Sequence, residues 1–306
     1  PHLLDSISYC LTNGVQFTFD CTPFFENNVP RFGEICSFSA SGGAVYVNSV
    51  LGARTNREAA QSAMCAAITG VTPEYGLLLE QNRAGDVLIQ VEADVDSEYD
   101  YELLGYITPK KMGQAYHCPV FNGLSKQTTS EQLMDLGTQL NIHGIVPMFH
   151  VVGVTPEAAD VHTAFLGRKD PPVVTITNED LAQARAEISA GTGKADFCIL
   201  GCPHLTINQV GSIAKMLDGQ QLAGQLYIFT STSTKELAQR MGYLDIIHKA
   251  GGEIVINSCV DQPCWSHLYG MSGVTESPKC AYYTKRWNMT FTVKSIQSVL
   301  KGEIVS

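Results

Sequence analysis

Short apolar runs alternate with segments of helical periodicity along most of the chain. The apolar runs predict strands at 15–19, 86–91, 197–200, 225–229, 253–256 and 291–293, with a further apolar run at 145–152. The periodic segments predict helices at 57–69, 130–142, 178–190, 208–217, 233–250 and 295–300. Strands that alternate with helices in this way form βαβ units, so we expect an α/β fold built on mostly parallel sheets.

Three cysteines stand beside turn residues just beyond predicted strands. They are Cys21, Cys202 and Cys259. Ligands of α/β proteins bind outside the carboxyl ends of the strands, so these three thiols are expected to converge on one point. Buried free cysteines more often pack as small apolar groups, and on the residues alone that interpretation stays open. The close cysteine pairs typical of zinc sites are absent, which disfavours zinc.

Thiolates are the usual ligands of iron–sulfur clusters. Three protein ligands leave one iron with an open coordination position, where it can act as a Lewis acid on a hydroxyl or carboxylate. Dehydration of a hydroxy acid needs such help because hydroxide is a poor leaving group. The three thiols therefore indicate a dehydratase as one hypothesis.

The composition is compatible with an ordinary soluble enzyme. Of the 306 residues, 44% are hydrophobic and 16% are charged, which is enough apolar material for a core. The net charge of −10 argues against a nucleic-acid partner, which would need a basic face. No apolar run reaches the roughly 18 residues of a transmembrane helix, so we expect no membrane partner. The start at Pro1 has no initiator Met and no signal-peptide pattern, so we expect a segment upstream in the native protein.

The ten cysteines have no regular spacing, and the chain is long. Disulfides mostly stabilise small secreted domains, so we expect reduced thiols and a cytoplasmic protein.

Several polar residues are candidates for binding. Arg54 and Arg57 could hold a carboxylate or phosphate, or form a surface salt bridge with Glu58. His204 could orient the environment of the thiols, although a histidine more often donates to a backbone carbonyl. No phosphate-binding glycine loop is found, so nucleotide binding has no support.

Several segments resemble the aconitase X family, the dehydratase branch of the aconitase superfamily. The similar segments lie in the family's order at 19–24, 45–58, 149–158, 200–205, 258–259 and 277–279. The run at 48–58 is the most specific. The resemblance implies an aconitase-like fold in which two α/β lobes surround a cluster cleft. We expect residues 1–125 with 260–306 to form the lobe of Cys21 and the lysine segment, and 126–259 to form the lobe of Cys202 and Cys259.

The resemblance also implies a set of site residues. Cys21, Cys202 and Cys259 would hold an iron–sulfur cluster, [4Fe–4S] being expected and [2Fe–2S] or [3Fe–4S] the alternatives. Lys279 and Arg54 would be catalytic. The residues expected to contact substrate are Asn48, Ser49, Asn56, Arg57 and Ser277.

The family implies a hydro-lyase large subunit that works with a small swivelling subunit, which supplies a serine base. The expected reaction is dehydration of mevalonate 5-phosphate to trans-anhydromevalonate 5-phosphate in isoprenoid biosynthesis. Dehydration of cis-3-hydroxy-L-proline is the alternative. In either case the partners are the small subunit and a small hydroxy acid.

The sequence departs from the family pattern around the expected substrate loops. Ala40 stands in a segment where the family has an acidic residue, Ala59 and Ala60 replace glycines, and Pro278 precedes the lysine. Glycine permits close backbone approach and proline removes a donor, so these changes should reshape the loops. They leave open a further alternative, a non-catalytic or altered subunit that keeps the fold.

Overall fold

The computed structural model describes residues 2–113, 115–189 and 195–302. Two sheets, in which every strand pair is parallel, form the frame of this part of the chain. Helices pack on both, so the expected α/β class with parallel sheets is confirmed. Within the described residues, no helix is long and apolar enough to cross a membrane.

The N-terminal part contains helices and irregular segments. It comprises α1 (His2–Thr12), α2 (Ser41–Ser49) and α3 (Ala60–Thr69). The strand predicted at 15–19 is wrong, because residues 15–20 are irregular. Phe19 adopts φ +48°, which an extended strand cannot accommodate, and its ring stacks on Phe17 with centroids 5.1 Å apart. The residues before Cys21 therefore lack a ladder of strand hydrogen bonds.

The first sheet contains four strands in the order β3-β2-β1-β4. They are β1 (Val87–Val91), β2 (Pro119–Asn122), β3 (His150–Val151) and β4 (Val173–Ile176). Its helices are α4 (Glu98–Met112), α5 (Ser130–Gly144), α6 (Val161–Ala164) and α7 (Asn178–Ile188). The apolar run at 145–152 yields only the short β3, because most of it is an irregular buried segment.

The second sheet contains five strands in the order β7-β6-β5-β8-β9. They are β5 (Phe197–Leu205), β6 (Gln225–Thr230), β7 (Gly252–Val255), β8 (Ser272–Thr275) and β9 (Thr290–Val293). Its helices are α8 (Ile207–Leu217), α9 (Thr232–Arg240), α10 (Tyr243–Ala250), α11 (Pro278–Thr284) and α12 (Ile296–Gly302). The helix predicted at 233–250 is divided in two, because Gly242 adopts φ +77° between α9 and α10.

The sheets divide the chain between 177 and 196. The first takes its strands from 87–176 and the second from 197–293. The lobes predicted from the sequence have other bounds, with residues 1–125 and 260–306 in one lobe and 126–259 in the other. In particular, β8 and β9 pair in the same sheet as β5, the strand that carries Cys202.

Capping boxes explain why the main helices begin where they do. In α4, α5 and α8 the Ser or Thr side chain just before the helix accepts a hydrogen bond from the backbone N–H three residues later. The side chain of that later residue accepts in return from the backbone N–H of the Ser or Thr. The residue pairs are Ser97 with Asp100, Thr129 with Gln132 and Thr206 with Gln209. Most other predicted helices and strands lie close to their expected bounds, although residue 190 of the helix predicted at 178–190 lies outside the described residues.

The strand β5 is irregular at its C-terminal end. Its register with β6 shifts between Leu200 and Leu205, so Cys202 lies inside the irregular part of β5 rather than after it. Gly201 adopts φ +102°, and a Cβ there would lie 2.2 Å from the carbonyl oxygen of Phe229. Only glycine permits this close approach of two backbones.

We predict that Gly201→Ala destabilises the protein much more than Gly219→Ala. Gly219 also has positive φ, at +73°, but no atom lies within 4 Å of its missing Cβ. The control should cost about 1 kcal/mol from backbone conformation alone, whereas Gly201→Ala adds a backbone clash and should exceed about 2 kcal/mol. Urea unfolding of the apoprotein measures both. Equal stability of the two variants would contradict the close approach.

Candidate iron–sulfur site

The loop before α11 holds the end of β5. Glu276 Oε1 accepts a hydrogen bond of 2.6 Å from the backbone N–H of Gly201. Ser277 Oγ donates to the carbonyl oxygen of Cys202 and accepts at 3.3 Å from the N–H of Cys280, which caps α11. The Cys202 side chain is buried, and the Ser277 hydroxyl holds the Cys202 backbone through this hydrogen bond.

Side-chain anchors hold the irregular segment of Cys21. Asp20 Oδ1 accepts from the backbone N–H of Thr22 at 2.9 Å and from its hydroxyl at 3.0 Å. The backbone N–H of His204 donates to Cys21 Sγ at 3.2 Å. Further along, the Glu26 carboxylate accepts from three hydroxyl groups at the start of α9, those of Ser231, Ser233 and Thr234. These hydrogen bonds connect the segment that follows Cys21 to the start of α9, a helix of the second sheet.

The segment of Cys259 follows β7 and is also irregular. Asn257 adopts φ +56°, which turns the chain at the end of the strand. The Ser258 carbonyl oxygen accepts from His204 Nε2 at 2.9 Å, and its hydroxyl accepts from Trp265 Nε1 at 3.0 Å. Cys259 itself is half-buried. Ser258, which precedes Cys259, is thus restrained by two side chains.

The three thiols and Lys279 form one electrostatic group. Burial raises the pKa of the Cys21 thiol to about 12 and that of Cys259 to about 11. Burial alone would lower the pKa of Lys279, but the sulfurs of Cys202, Cys21 and Cys259 raise it above its ordinary value. Each sulfur therefore acts on the same ammonium. The structure brings these four predicted site residues together.

A cleft of about 790 Å³ opens beside Cys21 and Cys259. Its lining includes residues 16–21, His204 and 257–259. We call it the thiol cleft. Asp20, Cys21 and His204 have potential metal-ligating atoms within 4.8 Å of one another.

The donor set fits an iron–sulfur cluster. Three sulfurs of separate segments interact electrostatically with the same Lys279 ammonium, which is compatible with a cluster that has three protein ligands. Asp20 Oδ2 is buried without a hydrogen-bond partner among the described residues. Bound iron would add positive charge to that of Lys279 beside these buried thiols and this carboxylate oxygen.

The predicted substrate residues Asn48 and Ser49 are engaged elsewhere. Asn48 Nδ2 donates to the carbonyl oxygens of Thr55 and Pro147 at 2.9 and 3.3 Å, and Asn48 Oδ1 accepts from Thr55 N–H at 3.0 Å. Ser49 Oγ accepts from the N–H of Phe149 at 2.9 Å. Both side chains are fully buried, so they shape the loop rather than face the thiol cleft.

The remaining predicted residues, Asn56, Arg54 and Arg57, also lie outside the lining of the thiol cleft. Asn56 bonds the backbone of Tyr75 and Leu77 at 3.1 and 2.9 Å. Arg54 pairs with Glu80 and donates to the Leu78 carbonyl at 3.0 Å. Arg57 is exposed, and in the described part of the chain it forms no salt bridge with Glu58.

A second cavity, of about 330 Å³, has Cys202 in its lining. Four acidic side chains line it, those of Glu98, Glu102, Asp135 and Glu276. Burial raises the pKa of Glu276 to about 7, and burial together with neighbouring carboxylates raises those of Glu102 and Asp135 well above their usual range. We call it the acidic cavity. The sequence analysis missed it, although acids spaced four apart at 98 and 102 and at 131 and 135 mark one face of each helix.

Three models of one protein family match successive parts of the chain. They describe the aconitase X first domain at residues 6–81, the second domain at 85–186 and the third domain at 195–304. The chain belongs to the aconitase X family. The predicted family is therefore confirmed.

Relatives of both expected types are found. The "Phosphomevalonate dehydratase large subunit" of Thermococcus kodakarensis is 34% identical over 94% of this chain and 73% of its own length. That of Methanothermobacter thermautotrophicus is 38% identical over 88% of this chain and 65% of its own. The "Cis-3-hydroxy-L-proline dehydratase" of Pseudomonas aeruginosa is 34% identical over 83% of this chain and 45% of its own. This chain thus spans between about half and three quarters of these relatives.

A solved structure has the same fold. The holo-form crystal structure of Thermococcus kodakaraensis aconitase X superposes with a TM-score of 0.86 at 32% identity, over 95% of this chain and 73% of that one. The predicted aconitase-like α/β fold is confirmed. So is the expectation that the chain is of a dehydratase family, since its relatives carry that name.

We predict that Asn48→Ala lowers stability rather than substrate affinity. The variant leaves several buried backbone groups without partners and removes one contact of the Arg83 guanidinium, whose Nη1 lies 3.2 Å from Asn48 Oδ1. The loss should be at least about 2 kcal/mol in the free energy of unfolding. Asn56→Ala, which removes fewer bonds, is the matched control. A fully stable Asn48→Ala variant with weakened substrate binding would contradict this assignment.

The acidic cavity predicts a pH dependence of stability. Because the folded-state pKa of Glu102 lies above its ordinary value of 4.5, the native state keeps a proton that the unfolded chain releases. The free energy of unfolding of the apoprotein should therefore fall as pH rises above about 4.5. Glu102→Gln should flatten this slope, while Glu236→Gln, which alters an exposed carboxylate, should leave it unchanged. Equal slopes in all three proteins would contradict the prediction.

Proposed function

We propose that this chain is the large-subunit part of a phosphomevalonate dehydratase. It would remove water from mevalonate 5-phosphate to give trans-anhydromevalonate 5-phosphate, in the cytoplasm. The observation that carries the proposal is the grouping of Cys21, Cys202, Cys259 and Lys279 in a chain whose relatives include phosphomevalonate dehydratase large subunits.

In this proposal the three cysteines hold the cluster. A bound iron with an open position supplies Lewis-acid assistance to loss of a hydroxyl group. Lys279 contributes a fixed positive charge beside the sulfurs, which can balance the thiolates and attract an acid group of the substrate. A serine of a small partner subunit would remove the proton, since elimination also needs a base.

The segment of residues 48–57 would bind the substrate's acidic groups through its two arginines. Arg57 is exposed, so its side chain is accessible to a ligand. Arg54 forms a salt bridge with Glu80, which restrains its side chain. Asn48, Ser49 and Asn56 would support the conformation of this segment through their buried hydrogen bonds. Ser277 would act on Cys202 rather than on substrate, since its hydroxyl bonds that residue's carbonyl.

Dehydration of cis-3-hydroxy-L-proline is a second candidate. A specific feature favours it: the acidic cavity adjoins Cys202, and a bound ammonium would favour the ionised form of its acidic side chains, whereas a phosphate would not. The relative of Pseudomonas aeruginosa has this activity in its name. The two substrates differ in charge, so they can be distinguished directly.

The third candidate, a subunit without activity, rests on the sequence departures. Pro278 occupies the first position of α11, where proline suits a helix start, so it does not disturb Lys279. Ala40 and Ala59 precede α2 and α3 as caps without side-chain hydrogen bonds. These helices lack a stabilising cap, which is where the departures have a structural cost.

We predict that the complex with its small subunit, purified without oxygen, contains iron and sulfide and dehydrates mevalonate 5-phosphate. Cys21→Ser should lose most of the iron and the activity, whereas Cys65→Ser, at an exposed position on α3, should keep both. Electron paramagnetic resonance and Mössbauer spectra would identify the type of cluster. We expect [4Fe–4S] rather than [2Fe–2S] or [3Fe–4S].

Two results would contradict the proposal. One is a complex without iron in which Cys21→Ser matches the wild type. The other is an iron-loaded complex that turns over neither mevalonate 5-phosphate nor cis-3-hydroxy-L-proline, which would favour the non-catalytic alternative. Turnover of the amino acid alone would transfer the proposal to the second candidate.

A further inference from the structure

His204 contacts the segments of two proposed cluster ligands and lies two residues from the third. Its side chain is only 3% exposed. The ring Nδ1 lies 3.0 Å from Asp20 Oδ1, and Nε2 donates at 2.9 Å to the Ser258 carbonyl oxygen. Its backbone N–H donates at 3.2 Å to Cys21 Sγ. His204 therefore contacts Cys21 and residues adjacent to Cys21 and Cys259, and it lies two residues after Cys202 in β5.

These contacts matter because strand pairing does not fix the ligand segments. Residues 15–20 form no strand, and 256–259 lie beyond the end of β7. Cys202 lies within the register shift of β5. In the absence of a ladder, the relative positions of the three sulfurs depend on side-chain contacts between the segments.

Asp20 extends the effect of His204 to both sides of Cys21. Its Oδ1 contacts the His204 ring and also accepts from the backbone N–H of Thr22, so the carboxylate spans the cysteine. Both ring nitrogens of His204 are then occupied by protein atoms, which leaves neither available to a metal. His204 is therefore not expected to bind a metal through its ring, even though the ring lies close to the Cys21 sulfur.

We infer that His204 is the positioning residue that holds the three cluster-ligand segments in register, and that it does not itself bind iron. The inference rests on the proposed function, because it assumes a cluster at these cysteines. Partners that orient metal ligands typically affect metal affinity by about 10–100-fold when removed. Loss of the ring should therefore speed the release of iron.

Three variants of His204 separate its two ring contacts. His204→Asn can still reach Asp20 and should lose the Ser258 contact. His204→Gln can still reach the Ser258 carbonyl and should lose the Asp20 contact. His204→Ala loses both. The backbone N–H to Cys21 Sγ remains in all three, so they report on the side chain alone.

The experiment measures iron release to a chelator from the anaerobic complex, together with its paramagnetic resonance spectrum. We expect His204→Ala to release iron at least about tenfold faster than wild type, with a broadened spectrum. Asn and Gln should restore part of the retention. His150→Gln is the matched control: His150 is 1% exposed and contacts the Arg83 carbonyl at 2.8 Å, so it should lower Tm without changing iron release.

The outcomes are distinguishable. Wild-type complex without a cluster would refute the proposed function and this inference with it. Stable cluster retention in all three His204 variants would refute the inference and leave the proposed function intact. Iron–nitrogen scattering in the X-ray absorption spectrum of the wild type that disappears in His204→Ala would make His204 a ligand, and would also overturn it.

Discussion

The close approach of β5 to β6 at Gly201 is the constraint on which the site depends. A side chain at this position would collide with the Phe229 carbonyl, so the two strands can meet there only without one. Their register shifts just beyond it, and the chain leaves the regular ladder at Cys202. The departure brings the backbone of His204 within hydrogen-bond distance of Cys21. A regular strand would leave these residues paired to β6 instead.

Burial of charge is the second feature of this region. The acidic cavity adjoins Cys202, and the Lys279 ammonium interacts with the sulfurs of Cys202, Cys21 and Cys259. Taking carboxylates and thiolates out of water is unfavourable, and the protein responds by raising the pKa of Cys21 and Glu276. A cationic cofactor would relieve this cost, so the site is better balanced with iron than without it. The same argument explains why the cofactor should couple to stability.

The sequence predicts the regular elements of the fold well and the irregular ones poorly. Periodicity and capping residues locate helices such as α5 and α8, because both signals are local. The alternation at 15–19 was misleading, since a strand also needs a neighbour to pair with and Phe19 has positive φ. The predicted helix 233–250 divides at Gly242, although glycine within a periodic run was a visible signal. These failures concern long-range pairing and backbone conformation.

The candidate site shows the same contrast. Cys21, Cys202 and Cys259 are predicted from their positions near strand ends and from the family resemblance, and in the structure all three interact with Lys279. The roles of Asn48 and Ser277 could not be predicted, because family similarity does not distinguish a residue that touches substrate from one that holds the backbone. The acidic cavity arises from helices of different sheet units, so no local pattern describes it.

An anomalous difference map at the iron edge, from crystals of the complex grown without oxygen, tests the central claim most directly. We expect one strong peak within bonding distance of the sulfurs of Cys21, Cys202 and Cys259, with the His204 ring beside it but outside bonding distance. A peak ligated by other residues, or no peak in a complex that is catalytically active, would contradict the account.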